Sequence, residues 1–483
     1  MSEKKSLKLN VVMNAILNMS AFVFPLITFP YVSRVLLAEG NGKVNFATSL
    51  IDCFLIIAQL GIPTYGVRAC AKVRDDKRLL SKTAHELLII NVVMMLVAYA
   101  ALAGALIFVP RLHGERLLYI ICSLTIFFTS IGMEWLYKAL EQYTYITVRS
   151  IVFKLISVIA MFFLVRSKEH YVIYGGITIM ASSASGLMNF VHARKYIIMR
   201  PMGGYEFRPH LKAVAIFFAM SCASRIYTHL DTLMLGFMST ETKVGYYGAA
   251  VRIKQILVSL VTSQGVVLLP RATHYIKNRQ MDKFQDISRK SIGLTLLTAT
   301  PLMLYFMMFA WDGIHFISGD NYNGAVMPLR LIMPTLLFIG LSNVTGIQIL
   351  VPMGREKTVL YSIICGAVAD LVMNLMLIPR YGAVGAAIAA SVAELVVLIF
   401  QLTVLWKMLK PSLKKIAYWK VLLALAAGAA ASFWVLLMPW GSFLTLACSA
   451  CLFFGAYGLT LLVLQEELVT TVLGQLLKKF FKR

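Results

Sequence analysis

The stretch FPLITFPYVSRVLL (Phe24–Leu37) lies inside the first long apolar run of the chain. It contains two prolines, Pro25 and Pro30, and an arginine, Arg34, four residues after the second proline. Proline removes a hydrogen bond from a helix, and arginine is among the costliest residues to place in lipid. These three residues need an explanation if the run crosses a membrane.

The composition of the whole chain is that of a membrane protein. The chain is 59% hydrophobic and 14% charged, with a mean hydropathy of +0.76, whereas soluble domains carry about 25% charged residues. A spanning helix needs about 20 mostly apolar residues. By that measure the sequence predicts an all-α integral membrane protein with about fourteen transmembrane helices. The predicted spans are about 10–36, 44–66, 84–109, 117–137, 147–165, 171–192, 211–238, 244–269, 291–311, 325–351, 358–379, 382–406, 417–437 and 441–464.

The distribution of basic residues predicts the orientation. Of the 46 Lys and Arg residues, 33 fall on one side of these spans and seven on the other. The basic side of a membrane protein is cytoplasmic, so both termini are predicted to be cytoplasmic. Basic loops beside an anionic leaflet also account for the net charge of +24, and no nucleic-acid partner is needed to explain it. The tail, 465–483, is predicted to be an amphipathic helix on the cytoplasmic surface.

The connections between the spans are short, which leaves no soluble domain to host an enzyme. No segment matches the phosphate-binding pattern G-x-x-x-x-G-K-[ST], and no catalytic or metal site is predicted. KVNFATSLID (Lys43–Asp52) and KVGYYGAAVR (Lys243–Arg252) each open the second helix of a six-helix set. We therefore predict two parallel repeats: an N-lobe at 1–200 and a C-lobe at 201–410, followed by two further spans at 411–464.

Polar residues recur at helical spacing inside several spans. In span seven they cover one sector of roughly 160°, which is the strongest local signal in the chain. Its members are Ser221, Ser224, Arg225, Thr228, His229, Asp231 and Thr232. Shorter polar faces in other spans include Asn10, Asn14, Asn18, Pro25 and Thr28; Asn45, Thr48, Asp52 and Gln59; Ser130, Glu134 and Tyr137; and Arg252, Gln255, Ser259, Thr262 and Ser263.

A water-filled cavity would relieve the cost of an arginine at the middle of a span. Arg34, Arg225 and Arg252 on its wall suit an anion, and the planar guanidinium group suits phosphate in particular. Structural roles compete with this interpretation. Asparagines hold helices together in membranes, Asp52 and Arg252 could neutralise each other, and Glu134 could pair with a buried basic residue.

Two interpretations of the opening stretch remain. Pro25 and Pro30 could act as a hinge that brings Arg34 to an anionic headgroup. Alternatively, the prolines make a static kink and Arg34 extends to the outer headgroups.

Several of these stretches resemble one family. FPLITFPYVSRVLLAEGNGKVNFATS looks like the start of the polysaccharide-biosynthesis (lipid-linked oligosaccharide) flippases, a branch of the multidrug/oligosaccharidyl-lipid/polysaccharide exporter superfamily. One departure is Leu37-Ala38, where such proteins often have Gly-Pro. The other matching stretches are QLGIPTYGVRACAKVRDD (Gln59–Asp76), EWLYKALEQYTYI (Glu134–Ile146), VGYYGAAVRIKQ (Val244–Gln255), VVLLPRATHY (Val266–Tyr275), GLSNVTGIQILVPMGREK (Gly340–Lys357) and NLMLIPRYGAVGAAIAASVAE (Asn374–Glu394).

The resemblance implies two six-helix lobes around a central cavity that opens alternately to each side of a bacterial plasma membrane. The expected cargo is an oligosaccharide on a polyprenyl diphosphate, typically undecaprenyl, which moves to the outer leaflet for cell-surface polysaccharide synthesis. No cofactor is expected, and an H⁺ or Na⁺ gradient would drive transport. Expected partners, besides membrane lipid, are a polysaccharide polymerase and glycosyltransferases.

The predicted site follows from spacing and resemblance together. The substrate-binding candidates are Asn18, Arg34, Arg225, Thr228, Arg252 and Gln255, and the ion-coupling candidates are Asp52, Glu134 and Asp231. A lipid II flippase and a cation-coupled multidrug exporter share the expected fold and stay open as alternatives. An exporter of cations should favour acidic residues in the cavity, and an enzyme acting on the same lipid should carry a large outer loop.

Overall fold

A computed structural model describes residues 7–263, 265–278 and 280–471. The described side chains exclude those of 7, 8, 11, 22, 220, 223–227 and 265–270. In the described ranges the regular structure is helical, without a β-strand. The predicted amphipathic tail lies outside the described residues from 472 onwards.

Nine α-helices of the described chain lie wholly within residues 1–245. They are α1 (Leu7–Gln59), α2 (Ile62–Lys72), α3 (Lys77–Phe108), α4 (Arg116–Ile131), α5 (Glu134–Ala139), α6 (Tyr143–Leu164), α7 (Tyr171–Ile179), α8 (Gly186–His192) and α9 (Arg208–Met238). A π-helical segment, Met180–Ala184, joins α7 to the residues before α8, and short 3₁₀ turns are Pro110–Glu115, Lys168–His170 and Ala193–Lys195.

Ten further α-helices lie between residues 241 and 463 of the described chain. They are α10 (Glu241–Thr262), α11 (Gly265–Lys277), α12 (Met281–Met308), α13 (Ala310–Ser318), α14 (Val326–Ile332), α15 (Thr335–Asn343), α16 (Glu356–Tyr381), α17 (Ala383–Lys414), α18 (Tyr418–Phe433) and α19 (Ser442–Val463). The 3₁₀ turns are Asp320–Ala325 and Trp434–Leu437, and a second π-helical segment is Val344–Leu350.

Ten helical stretches in the described chain are long and apolar enough to cross a membrane. Two further helical stretches, Asp320–Ile332 and Thr335–Leu350, meet at a bend of 43°. If this pair forms one broken span, the number of spans in the described chain is eleven. The all-helical membrane fold predicted from the sequence is therefore confirmed, whereas the count of fourteen spans is not. One reason is that the helical stretch Val12–Lys72 is continuous and is counted as one span, although it contains both the first and the second predicted span. Another is that neither α9 nor α10 is among the ten stretches, since both carry several polar and charged residues.

The first two predicted spans meet at Leu37, where the backbone has φ 58° and ψ −176°. That combination is tolerated almost only by glycine, so the chain leaves one helical direction there and starts another. The family resemblance placed Gly-Pro at Leu37-Ala38. This chain makes the same break with a leucine, at the cost of backbone strain.

The chain forms two compact units, Met1–Gly245 and Tyr246–Arg483. In the first, α1 packs against α3, α4, α6 and α9. In the second, α16 packs along α17, α18 along α19, and α12 against α15. The predicted lobe boundary near residue 200 stays a prediction; α9, which follows it, packs within the first unit.

Small residues explain the close packing of α16 on α17. Gly382, with φ 58°, makes the turn between them. A Cβ at Gly385 would lie 2.5 Å from the carbonyl oxygen of Leu377, so the two backbones approach as closely as glycine permits. Ala386, Ala387 and Ala390 continue this buried face. Small residues are the usual means of bringing membrane helices together.

The outer surface of the helices is apolar, as lipid requires. Phe108 is 83% exposed, Val463 80% and Leu437 73%. Buried polar residues, among them Asn91, Gln401 and Asn374, lie inside the units. This arrangement inverts that of a soluble protein and fits a chain whose helices face hydrocarbon.

Candidate functional site

Helix α9 lies along α1 and α2, where glycines allow a close approach. Gly61 has φ 74°, and a Cβ there would lie 2.5 Å from the backbone nitrogen of Phe218. Near the other end of α9, a Cβ at Gly236 would lie 2.1 Å from the ring of Phe46. A real Cβ essentially never comes that close to another heavy atom, so only glycine fits either position.

Two titratable side chains meet in the middle of this contact. His229 Nε2 on α9 lies 3.6 Å from Asp52 Oδ2 on α1, and each side chain is about a quarter exposed. Asp52 follows Lys43 by nine residues, and His229 precedes Ser239 by ten. At 1.5 Å per helical residue, Asp52 lies about 14 Å along its helix from Lys43, and His229 lies about 15 Å along its helix from Ser239. Both residues are therefore near the middle of an apolar layer about 30 Å thick.

The charge of the Asp52–His229 pair depends on whether His229 is protonated. The pair is ionic only when His229 is protonated. Histidine is the side chain whose ordinary titration falls nearest to physiological pH. Asp231 lies two residues further along α9 and is 9% exposed. The polar sector of predicted span seven therefore contributes one residue, His229, to a contact with an acid inside the first unit.

Just after the break at Leu37, α1 touches the start of α10 through four residues that we call the glycine contact: Ala38, Gly42, Glu241 and Gly245. A Cβ on Gly42 would lie 1.7 Å from the carbonyl oxygen of Glu241, and a Cβ on Gly245 would lie 1.9 Å from that of Ala38. The backbones themselves touch here. No side chain can be inserted without separating them.

Arg111, which precedes α4, binds the end of α9 and the start of α10 next to the glycine contact. Its Nη2 lies 2.9 Å from Glu241 Oε1. Its Nε and Nη2 also donate to the carbonyl oxygens of Gly236 (3.2 Å) and Ser239 (3.0 Å). One guanidinium group thus satisfies carbonyls at the end of α9 and a carboxylate at the start of α10.

A charged cavity of about 350 Å³ adjoins the glycine contact. Lys43 on its wall lies 2.8 Å from Glu115 and 3.4 Å from Glu39. The hydroxyl of Tyr171 donates to Glu115 Oε2 at 2.8 Å. The acids and bases on this wall are thus largely paired with each other.

The opposite end of α9 is held by a buried acid that sequence reasoning missed. Glu86 on α3 is 4% exposed, and its Oε2 lies 2.8 Å from His210 Nε2. The other ring nitrogen of His210 lies 2.8 Å from the Tyr65 hydroxyl. Glu86 also accepts from the backbone N–H of Glu206 at 2.8 Å. The sequence feature that could have revealed Glu86 is the presence of an acid within three residues of the start of an apolar run.

The predicted substrate-binding residues lie in both units. Asn18 and Thr228 are exposed, and Arg34 is exposed with Nη1 donating to the carbonyl oxygen of Pro30 at 2.6 Å. In the second unit Arg252 is half-buried and Gln255 exposed. The side chain of Arg225 lies outside the described residues. The binding role of all six stays a prediction.

Two of the three ion-coupling candidates have identified partners. Asp52 lies beside His229, as described above. Glu134 lies 2.8 Å from Lys138 Nζ and 3.9 Å from the buried Arg149 Nη2, which is the structural pairing considered as an alternative for it. The predicted hinge residues, Pro25 and Pro30, lie within α1, where the only non-helical backbone is at Leu37; the hinge stays a prediction.

Helix α6 carries two basic residues that the spacing did not single out. Arg149 donates to Asn189 Oδ1 and lies 5.8 Å from the ring centroid of Tyr145. Lys154 Nζ donates to Ser20 Oγ at 2.7 Å. Both lie in the predicted fifth span. Basic residues inside that span were the available signal, but their faces depend on which helices pack against α6.

Comparison with protein families gives two matches. The family described as "Polysaccharide biosynthesis protein" matches residues 7–276, which is more than half of the chain. The family described as "MatE" matches residues 216–376. No group of three or more His, Cys, Asp or Glu that could hold a metal ion occurs among the residues described here.

Curated relatives extend over most of the chain. A "Putative O-antigen transporter" from Escherichia coli (strain K12) is 24% identical over 82% of this chain and 96% of its own length. A protein of the same name from Shigella dysenteriae is 23% identical over 82% of this chain and 99% of its own length. A "Probable low-salt glycan biosynthesis flippase Agl15" from Haloferax volcanii is 19% identical over 44% of this chain and 40% of its own length.

Two solved structures share the fold. "Lipid II flippase MurJ, inward closed conformation" superposes with a TM-score of 0.73, at 15% identity, over 95% of this chain and 100% of that one. An inward-facing multidrug resistance MATE family transporter of the MOP superfamily gives a TM-score of 0.64, at 13% identity, over 82% and 96%. At these identities the likeness is one of fold.

Proposed function

The chain belongs to the polysaccharide biosynthesis protein family, and we propose that it moves a polyprenyl-diphosphate-linked oligosaccharide across a bacterial plasma membrane. The family predicted from the sequence motifs is confirmed, as is a membrane transporter rather than an enzyme. The proposal adds the cargo, the direction and the energy source. The cargo would travel from the cytoplasmic to the outer leaflet, typically on undecaprenyl, and join a cell-surface polysaccharide.

The observation that carries the proposed mechanism is the Asp52–His229 contact in the middle of two membrane helices. An ionisable residue at this depth is costly unless it has a partner or a function. Protonation of His229 strengthens the contact with Asp52, and loss of the proton weakens it. A proton gradient would thereby act on the α1–α9 contact, so we propose H⁺ rather than Na⁺ as the coupling ion.

The cargo's diphosphate explains the basic residues of the predicted site. Arg34, Arg225 and Arg252 would each present a planar guanidinium group, which can bind two phosphate oxygens at once. The lipid chain would remain in the bilayer while the sugar and diphosphate cross. Both termini would be cytoplasmic, and the polymerase and glycosyltransferases of the same polymer would be working partners.

Depletion of the protein from cells tests the cargo. Lipids are extracted and their masses measured. We expect a polyprenyl-diphosphate oligosaccharide to accumulate, and its mass identifies the sugar repeat. Accumulation of lipid II instead would support the lipid II flippase, and unchanged lipids with greater sensitivity to cationic drugs would support the exporter.

Substitution of Asp52 tests the coupling. Asp52→Asn removes the charge that attracts protonated His229 while keeping the size of the side chain. In vesicles with an imposed proton gradient, we expect the variant to lose gradient-driven transport. The matched control is Asp75→Asn, an exposed acid between α2 and α3. Gradient-driven transport at the wild-type rate by Asp52→Asn would exclude this contact as the coupling element.

A further inference from the structure

A second charged cavity, of about 230 Å³, lies within the second unit. It is formed by the start of α12, the turn between α17 and α18, and the residues after α19. Four basic side chains and two carboxylates line it. These are Arg289, Lys290, Lys415, Lys420, Glu466 and Glu467.

The two carboxylates are already engaged. Glu467 accepts both guanidinium hydrogen bonds of Arg289, at 2.8 and 2.9 Å. Glu466 accepts from the backbone N–H groups of Leu468 (2.8 Å) and Val469 (2.9 Å) and so caps the segment after α19. Among the described residues, neither acid forms an ion pair with Lys415, in the turn between α17 and α18, or with Lys420, in the first turn of α18.

The basic residues differ in how far they are neutralised. Arg289 is satisfied by Glu467 and Asp286, and Lys290 Nζ lies 2.6 Å from Asp286 Oδ2. Lys420 Nζ donates to the carbonyl oxygen of Gln465 at 3.1 Å. Within the part of the chain that the structure describes, Lys415 and Lys420 make no ion pair. Two ammonium groups therefore keep donors for an anion in the cavity.

The flanking residues place this cavity at the surface of the membrane. Tyr418 and Trp419, at the start of α18, are both exposed, and exposed aromatic residues at helix ends lie at headgroup level. The turn also belongs to the basic segment Lys407–Lys420, on the side predicted to be cytoplasmic. Basic pockets between membrane helices on that side bind the headgroups of anionic lipids.

We propose that this cavity binds the phosphate of an anionic membrane phospholipid, with Lys415 and Lys420 as its ligands. A phosphate group is small enough for the cavity, and its negative charge complements the two lysines. The lipid would tie the turn between α17 and α18 and the residues after α19 to one leaflet. This inference does not depend on the cargo of the transporter.

Native mass spectrometry of the purified full chain tests the site. Phosphatidylglycerol, phosphatidylcholine and inorganic phosphate serve as separate probes. For Lys415→Gln/Lys420→Gln we expect phosphatidylglycerol binding to weaken about 25-fold, taking about fivefold for each lysine near an anionic headgroup. The control is Lys410→Gln/Lys414→Gln, which removes the same charge from exposed lysines of the same helix end outside the cavity.

Three results would overturn the proposal. Equal weakening in the control pair would mean that general surface charge, not the cavity, binds the lipid. Binding of inorganic phosphate without phosphatidylglycerol would assign the cavity to a soluble anion. Loss of binding in Lys415→Arg/Lys420→Arg, which keeps both charges, would mean that the substitutions act through the fold. Unchanged transport alongside weakened lipid binding would leave both this site and the proposed cargo standing.

Discussion

Insertion of one methyl group at Gly42 should open the glycine contact between α1 and the start of α10. The Cβ of Gly42→Ala would lie 1.7 Å from the carbonyl oxygen of Glu241, whereas real contacts of this kind are at least 3.0 Å long. The two backbones must therefore separate by about 1.3 Å. Neither atom is on a flexible side chain, so a rotamer change cannot relieve the clash.

The energetic cost follows from the rigidity of the two backbones. Overpacking a well-packed contact by a methylene typically costs about 1 to 3 kcal/mol. If the glycine contact forms in only one state of the transport cycle, that cost shifts the balance between states by about five- to 150-fold. The hydrogen bonds from Arg111 to the end of α9 would lengthen at the same time.

Thiol labelling measures the opening. In a chain whose native cysteines are replaced, Ala38→Cys reports on the contact, because Ala38 is 3% exposed. A membrane-impermeant maleimide is added on the side of Lys43. We expect labelling to be at least about fivefold faster in the Gly42→Ala background.

A glycine at the same end of the molecule provides the control. A Cβ at Gly114 would have nothing within 4 Å, so Gly114→Ala should leave labelling unchanged. Equal labelling rates in Gly42→Ala and the parent would refute the claim that backbone contact seals this end. Equal acceleration by both substitutions would point to a general loosening instead.

Four further predictions concern single residues. Leu37→Gly should raise the melting temperature, because φ 58° with ψ −176° costs a leucine about 1 to 3 kcal/mol; a lower melting temperature would show that side-chain packing outweighs the strain. Arg225→Ala should abolish transport in a chain that still elutes as folded protein, and wild-type transport would exclude the predicted cavity role. Arg149→Ala should lower stability by about 1 to 3 kcal/mol, since it leaves the buried side-chain oxygen of Asn189 without its donor, and denaturant titration would contradict this if the midpoint stayed the same. The hydrogen bonds from Arg289 hold the pKa of Glu467 below its ordinary value of 4.5, so the segment after α19 should lose protection from hydrogen exchange as the pH falls through that lowered pKa; the same pH dependence in Glu467→Gln would refute the assignment.

The opening stretch shows how far local sequence reasoning reaches. Two prolines and Arg34 in an apolar run predicted a special first helix, and the resemblance singled out Leu37-Ala38 as a departure from the family. The structure makes its break at Leu37 rather than at Pro25 or Pro30. A backbone φ of this kind follows from where the two spans pack, and a leucine gives no local sign of it.

The candidate site shows the same division. The helical period placed His229 and Asp231 on one face of span seven, and it placed Asp52 on a polar face of span two. It also left Asp52 and Arg252 as an alternative pair, which stays a prediction, and it gave no sign that His229 lies beside Asp52. Partners on different helices are set by which helices touch and by their register, and the period of a single helix contains neither.

The sequence by itself determined the membrane class, the all-helical fold, the family and the polar faces of individual spans. These properties follow from composition, run length and local spacing, because lipid forces every spanning segment to be apolar and to satisfy its own backbone. Only the tertiary structure decided that Asp52 meets His229, that Glu86 meets His210, and that Gly42 and Gly245 bring the backbones of α1 and α10 into contact. Each of these contacts joins residues more than a hundred positions apart, and such contacts depend on how the helices pack together.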